Sequence, residues 1–184
     1  MRLVMFFLWV MILAACNMGD SVECNILTNS DVESGIPDPT AWGSIVLGAA
    51  MSAYDGTVAR STSHSLKISC AVVEGATWGY WIQTINTDIP FGKRLTLRVH
   101  IKGENLSGEG VSIAARCDDA GGQLLFNSTE GEIAIVDTFD WTCFEVALND
   151  VVPAETTVTY VYLILLPNTT GTVYFDDISL YYKE

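Results

Sequence analysis

Short runs of Val, Ile, Thr, Tyr, Phe and Trp recur along this chain, and Gly, Asn, Asp and Pro separate them. Residues 95–102 (LTLRVHIK) alternate strictly between apolar and polar, which is the period of a strand with one buried and one exposed face. Outside the extreme N-terminus, no long segment has helical periodicity. A length of 184 residues suits one domain with a sizeable core. The sequence therefore predicts a single all-β domain built as a two-sheet sandwich.

One strand-like run, residues 171–182 (GTVYFDDISLYY), changes phase at Asp176 and Asp177. The apolar residues that end at Phe175 and those that start at Ile178 would point to opposite faces of a straight strand. Either a β-bulge resets the phase at the aspartates, or the strand runs straight and buries Asp176 beside Ile178. Both arrangements leave a carboxylate at the edge of the core, where we expect it to need a cation. In a third arrangement both aspartates point to solvent at a strand end.

The charge balance and the supply of reactive side chains argue against two classes of function. The chain carries 22 acidic and 9 basic residues without a basic cluster, so the phosphate backbone of nucleic acid would repel it. Its two histidines, His64 and His100, have no zinc-ligand or hydrolase spacing. The adjacent aspartate pairs at 118–119 and 176–177 would alternate faces in a strand rather than form a glycosidase dyad. We therefore predict no nucleic-acid partner and no catalytic activity.

The N-terminus is typical of an export signal. Arg2 precedes thirteen apolar residues, Leu3 to Ala15, which are too few to span a bilayer as a helix. The junction Leu13-Ala14-Ala15-Cys16 resembles the lipobox of bacterial lipoproteins, which implies cleavage before Cys16 and lipidation of its thiol. An ordinary secretory signal cleaved near Ala15 is the alternative. We predict a signal peptide at 1–15, a lipidated tether at 16–24, and a lipid-anchored protein of the bacterial cell envelope, facing the periplasm or the cell surface.

Four cysteines remain if Cys16 carries lipid. An even number in an exported protein allows two disulfides, and no CxxC spacing indicates zinc. Three pairings are possible, and we favour Cys24 with Cys70 and Cys117 with Cys143, because these pairs are expected on neighbouring strands. Four buried free thiols are the alternative.

Several motifs in residues 25–182 occur in the order found in one family. They are NILTNSDVESG at 25–35 followed by Trp42, SHSLKI at 63–68, Trp78 with Gln83, PFGK at 90–93, and GTVYFDDISL at 171–180. Together they resemble the carbohydrate-binding modules of the galactose-binding-domain-like group that accompany bacterial cellulases, xylanases and laminarinases. The resemblance implies a jelly-roll sandwich over residues 25–184 that binds polysaccharide.

The resemblance also implies a structural calcium ion that joins the two chain ends. In the family, a Glu of the N-terminal motif and an Asp of the C-terminal motif bind this ion together with backbone oxygens. The matching residues are Glu33 and Asp176, with Asp177 as the substitute. Val32 departs from the family, which usually has an aromatic residue there.

The glycan cleft of the resembled family lies on two strands that match residues near 98 and 160. Alternation places Arg98 and His100 on the polar side of their strand, and Tyr160 and Tyr162 together on one side of theirs. We predict that these four residues share a sheet face, and that further wall residues come from Trp42, Trp78 and Tyr80. Flat aromatic surfaces beside hydrogen-bonding groups suit sugar rings. The alternative is that the two phenols pack under a loop.

We therefore predict non-catalytic binding of a polysaccharide such as a β-glucan or xylan. A neutral ligand fits the acidic chain best, unless Arg98, His100 and Arg116 form a positive patch. A structural or adhesive sandwich that holds an envelope protein partner is the second hypothesis, because the fold alone does not decide function. An activity associated with glycoside hydrolases, through partners only, is the third.

Overall fold

A computed structural model describes residues 22–184, and the predicted signal peptide and Cys16 lie outside that range. Within that range the regular structure is all strand, as the alternation predicts. No helix in residues 22–184 is long and apolar enough to cross a membrane. The strands are β1 (Glu23–Asn25), β2 (Gly43–Leu47), β3 (Ala50–Asp55), β4 (Ser65–Cys70), β5 (Trp78–Ile85), β6 (Thr96–Asp119), β7 (Gly122–Ser128), β8 (Ile135–Ala147), β9 (Val158–Leu165) and β10 (Thr170–Lys183).

Strand β6 belongs to both layers of the sandwich. Its first half pairs with β8 and β10, and β4 and then β3 extend this layer beyond β10, while the short β1 pairs with the end of β10. Its second half pairs with β7 and β9, and β5 and then β2 extend that layer beyond β9. We call the first layer sheet A and the second sheet B.

The crossing of β6 from one sheet to the other takes place in residues 103–110. The segment is assigned to the strand, but its pairing with β8 shifts register three times between Ile101 and Val111. Asn105, Gly108 and Gly110 have φ values of 53°, 105° and 88°. A side chain at Gly108 would place its Cβ 2.0 Å from the carbonyl oxygen of Asn168, so only glycine allows this close approach.

The alternation of β6 and β9 builds the core between the sheets. Leu97, Val99 and Ile101 of sheet A are fully buried, as are Val161 and Leu163 of sheet B, and all five belong to one cluster. Burying each such side chain contributes about 1.5–3 kcal/mol relative to exposing it. The intervening residues point outward, so each sheet has an outer face whose composition the core does not dictate.

A bulge interrupts β10 at the aspartates. Asp176 lies opposite His100 of β6, but the next pair is Ser179 with Arg98, and Asp177 has a φ of 44°. The bulge proposed from the sequence is confirmed. Asp176 is fully buried, so the arrangement with both aspartates in solvent is wrong.

The predicted disulfide between Cys24 and Cys70 is wrong, because both thiols are free. Cys24 lies opposite Tyr182 of β10, and Cys70 lies opposite Gly171 of the same strand. Eleven residues along a strand separate these positions by roughly 35 Å, far beyond the reach of a disulfide.

The predicted disulfide between Cys117 and Cys143 is wrong for a different reason. Cys117 is buried in the core from the second half of β6, in sheet B. Cys143 is exposed on β8, opposite His100 of sheet A. The sequence did not reveal that the two cysteines belong to different sheets.

Candidate functional site

Four aromatic side chains form a continuous row on the outer face of sheet B. Trp78 and Tyr80 come from β5, and Tyr162 and Tyr160 come from β9. The ring centroids of successive members are 5.6, 5.5 and 5.9 Å apart. All four side chains are half-buried, so they present ring surface to solvent. We call these four residues the aromatic row.

Strand geometry explains the row. Two residues at spacing i and i+2 in each strand point to the same face. Tyr80 lies opposite Ile164, and Tyr162 lies opposite Ile82, so the two tyrosines are diagonal neighbours across the β5–β9 pair. They meet edge to face at an interplanar angle of 82°, an arrangement that aromatic rings favour.

An ion pair lies beside the Tyr160 end of the row. Arg116 of β6 is opposite Tyr160, and its Nε and Nη2 donate to Oδ1 and Oδ2 of Asp118, both at 2.6 Å. These bonds raise the pKa of Arg116 above its usual value. They occupy two of the five guanidinium N–H groups, so the side chain, which is 33% exposed, retains donors for a ligand.

The tyrosine hydroxyls add neutral hydrogen-bonding groups. Burial raises the pKa of Tyr162, and the positive charge of nearby Arg116 offsets only part of this rise. The phenol therefore remains protonated at neutral pH and can donate as well as accept a hydrogen bond.

Apolar side chains flank the aromatic row on the same face. Ile45 of β2 lies opposite Tyr80, and Leu47 lies opposite Trp78. On the other side, Phe126 of β7 lies opposite Arg116. These three flanking residues are 50%, 45% and 42% exposed, so the face is broad and largely apolar with a charged pair near one end.

The predicted grouping of Arg98 and His100 with the tyrosines is wrong. Both residues lie in the first half of β6, opposite Glu145 and Cys143 of β8, and so belong to sheet A. They point away from the core, on the outer face of the other sheet. Arg98, His100 and Arg116 therefore form no common positive patch.

Arg98 has its own partners on sheet A. Its Nη1 donates to Glu23 at 2.9 Å, its Nε donates to Glu145, and its Nη2 donates to the hydroxyl of Tyr181 at 2.9 Å. Its guanidinium carbon also lies 4.5 Å from the centre of the Tyr181 ring. These contacts tie β1 to the rest of sheet A, a structural role for Arg98.

Trp42 is not a wall residue. Its side chain is 5% exposed and belongs to the core, and its Nε1 donates to the carbonyl oxygen of Asn29 at 3.1 Å. Burial with a satisfied N–H is the common arrangement for a core tryptophan. Of the three predicted wall residues, only Trp78 and Tyr80 lie on the face that carries Tyr160 and Tyr162.

Asp176 is held by protein donors. Its Oδ2 accepts from the backbone N–H groups of Arg60 at 2.7 Å and Ser61 at 3.0 Å. Its Oδ1 accepts from the hydroxyl of Ser61 at 3.1 Å and the N–H of Asp177 at 2.7 Å. Burial nevertheless raises the pKa of Asp176. Four hydrogen bonds from the protein therefore reach this buried carboxylate, for which the sequence predicts a cation.

Glu33 is held in the same way by the same loop. Its Oε1 accepts from the N–H groups of Ser63 at 2.8 Å and His64 at 3.0 Å, and its Oε2 accepts from the Ser63 hydroxyl and faces His64 Nδ1 at 3.5 Å. Asp177, the substitute ligand, pairs with Arg60. Among residues 22–184, no group of three or more His, Cys, Asp and Glu side chains could hold a metal ion. As arranged here, the three carboxylates do not fit calcium.

Arg116 and Asp118 were not predicted as site residues. In the sequence, Arg116 alternates with Val111, Ile113 and Ala115, which places it on the opposite side of the strand from them, but this pattern does not reveal which strand lies beside it. Pairing with β9 brings Arg116 to Tyr160, and pairing with β7 brings it to Phe126.

No protein-family profile matches the sequence, and no curated protein matches it. Solved structures do match. The active domain of tailspike protein 4 from bacteriophage CBA120 is 16% identical with a TM-score of 0.62, over 87% of this chain and 21% of that one. A cyclase from Fischerella sp. TAU is 15% identical with a TM-score of 0.63, over 88% of this chain and 98% of that one.

Carbohydrate-binding modules of several families are similar too. A family 61 module, solved in complex with β-1,4-galactotriose, is 18% identical with a TM-score of 0.56, over 88% of this chain and 99% of that one. The chain spans about a fifth of the tailspike chain but nearly the whole of the cyclase and of the module. At these identities the likeness concerns the fold. The chain has the β-sandwich fold that carbohydrate-binding modules share with these enzymes.

Proposed function

We propose that the protein binds a neutral polysaccharide along the aromatic row without altering it chemically. The observation that carries the proposal is the convergence of four half-exposed rings on one sheet face, in an unbroken sequence with centroid spacings of 5.5–5.9 Å. An isolated surface aromatic needs no explanation, whereas a contiguous row indicates a binding surface.

The chemistry of the face suits sugar rings. A pyranose has a C–H face that packs on aromatic rings and a rim of hydroxyls that needs donors and acceptors. The row supplies the ring surface. The hydroxyls of Tyr160 and Tyr162 and the remaining N–H groups of Arg116 supply hydrogen bonds at its edge.

Charge favours a neutral chain such as a β-glucan or xylan. The formal net charge is −13, and Arg116, which lies beside the row, is neutralised by Asp118. Arg98, which could have attracted an acidic polymer, pairs with Glu23 and Glu145 on the other sheet. An acidic polysaccharide would therefore meet no net positive charge at the face.

The carboxylates beside the row favour binding without catalysis. Asp118 is committed to Arg116, and Oδ1 of the adjacent Asp119 accepts from the N–H groups of Gly121 and Gly122 at 2.7 and 3.0 Å. Neither is arranged as an acid and a base across a sugar-binding position. The competing hypothesis is that the same face holds an envelope protein.

The proposal includes a lipid anchor at Cys16 that keeps the protein in the cell envelope. β1 begins at Glu23, two residues before the start predicted for the sandwich and seven residues after Cys16. Seven extended residues reach at most roughly 25 Å, so an anchored sandwich would lie close to the membrane.

The test is affinity electrophoresis of the detergent-purified protein in gels containing soluble β-glucan or xylan. We expect retardation that Tyr160→Ala reduces and Arg98→Ala leaves unchanged, because Arg98 lies on the other sheet. Retardation lost in Arg98→Ala but kept in Tyr160→Ala would move the site to sheet A. No retardation by any neutral glycan would favour the protein-partner hypothesis.

A further inference from the structure

A polar cavity of about 520 Å³ lies at the end of β5, between the N-terminal segment and the turn that follows β5. Its size falls in the range of ligand pockets. Most of its lining side chains carry hydroxyl or amide groups, and one is a carboxylate. They include Thr28, Thr84, Asn86, Thr87 and Asp88.

The cavity continues the line of the aromatic row. Along β5, Trp78, Tyr80, Ile82 and Thr84 occupy the same outer face at successive i+2 positions. Thr84, which lines the cavity, lies opposite Tyr160, the last member of the row. Thr84 therefore belongs both to the face of the aromatic row and to the lining of the cavity, so a chain laid along the row can reach the cavity beyond Tyr160.

The wall of the cavity is fixed by Gln83. This side chain is 3% exposed, accepts from the backbone N–H of Thr28 at 2.9 Å and donates to the Thr28 carbonyl at 2.9 Å. The two bonds attach the N-terminal segment to the end of β5 in one position. The cavity wall is thus held by a buried amide that is hydrogen-bonded through both its oxygen and its nitrogen.

We propose that this cavity binds the terminal sugar of a neutral polysaccharide chain that lies on the aromatic row. The inference rests on the proposed function and adds recognition of a chain end to it. Hydroxyls of Thr84 and Thr87 and the amide of Asn86 can exchange hydrogen bonds with sugar hydroxyls. Asp88 can accept two hydroxyl hydrogens and repels a terminal uronic acid, so the cavity selects neutral ends.

The test compares short and long ligands, because a hexasaccharide has many ends per unit mass and a polymer has few. Calorimetry with cellohexaose and with barley β-glucan measures both affinities for the full protein. We expect Asn86→Ala and Asp88→Asn each to weaken cellohexaose binding about fivefold, as for one lost hydrogen bond, and to leave polymer binding unchanged. Asparagine tolerates the left-handed φ of 53° at position 88, so this variant keeps the backbone.

Controls separate the two proposals. Asn149→Ala removes an exposed asparagine outside the cavity and should change neither affinity. Tyr80→Ala should weaken the binding of both cellohexaose and barley β-glucan. If wild type binds both glycans and the cavity variants bind cellohexaose as tightly as wild type, the cavity proposal is overturned and the proposed function stands. If wild type binds neither of these glucans and no xylan, both proposals are overturned.

Discussion

Arg116 and Asp118 lie two residues apart on the outer face of sheet B, and two hydrogen bonds of 2.6 Å join them. The carboxylate is nearly buried and the guanidinium is one-third exposed, so the pair presents the arginine to solvent. Because Tyr160 is the cross-strand neighbour of Arg116, the pair fixes a planar donor group beside the aromatic row. Its net charge is zero, which suits a ligand with hydroxyls and no charge.

Replacing Arg116 with Lys should weaken polysaccharide binding about fivefold, because lysine keeps the charge but loses the planar fork that both holds Asp118 and donates to a ligand. The melting temperature should change little, since the pair is partly exposed. Calorimetry with barley β-glucan measures the affinity. Arg94→Lys is the matched control, because Arg94 is an exposed arginine outside sheet B. Equal affinities for the two variants would remove Arg116 from the site.

Tyr80 occupies the middle of the aromatic row, 5.6 Å from Trp78 and 5.5 Å from Tyr162. Tyr80→Ala should lower the affinity for β-glucan by about tenfold, because it interrupts the ring surface. Tyr80→Phe keeps the ring and should retain most of the affinity. If both substitutions cost the same, the hydroxyl and not the ring surface would carry the interaction.

The core and the bulge could be predicted because they depend on local alternation. Leu97, Val99 and Ile101 follow the period of two, and the phase change at Asp176 and Asp177 indicated a bulge in β10 as one of three possible arrangements. Neither inference needs to know which strands are neighbours.

The candidate site could be predicted only in part, because strand neighbours are set by long-range pairing. Arg98 and Arg116 lie in the same strand and face outward, yet the crossing at residues 103–110 places them in different sheets. Trp42 lies in a stretch without periodicity, so no sequence pattern indicated that its side chain is buried. Three of the four hydrogen bonds to Asp176 come from Arg60 and Ser61, in a loop at least 115 residues earlier that leaves no signal near the aspartate.

Cys16 should decide where the protein resides. Its replacement by Ser removes the thiol that the lipobox-like junction is expected to lipidate, so the protein should move from the membrane to the soluble fraction. Cys24→Ser is the matched control and should stay with the membranes. Membrane association of the Cys16 variant after a high-salt wash would rule out this anchor.

Glu33 should make the fold sensitive to acid. Burial raises the pKa of Glu33, but hydrogen bonds from Ser63 and His64 outweigh it and hold the pKa at about 2, below the ordinary 4.5. A depressed pKa contributes stability that is present above 4.5 and is lost as the pH falls towards 2. In urea denaturation, the free energy of unfolding of Glu33→Gln should depend less on pH in this window than that of wild type. Burial also raises the pKa of Asp55, but hydrogen bonds from Thr57 outweigh it and hold the pKa at about 2. The Glu33→Gln variant should therefore keep part of the pH dependence of its free energy of unfolding. An unchanged slope would contradict the assignment.

The loop at residues 60–64 donates hydrogen bonds to the carboxylates that the family resemblance assigns to calcium. Glu33 accepts three hydrogen bonds and Asp176 accepts four from this loop and its surroundings, whereas calcium needs six to eight oxygen ligands. The loop would have to withdraw before the ion could bind. We therefore expect the melting temperature to be the same in a chelator and in excess calcium. Ser61→Ala removes a hydrogen bond from the serine hydroxyl to Asp176, so it should lower the free energy of unfolding by about 1 kcal/mol in both conditions. A calcium-dependent rise of several degrees that Glu33→Gln abolishes would instead support the calcium site, since an ion that binds only the folded state stabilises it by mass action.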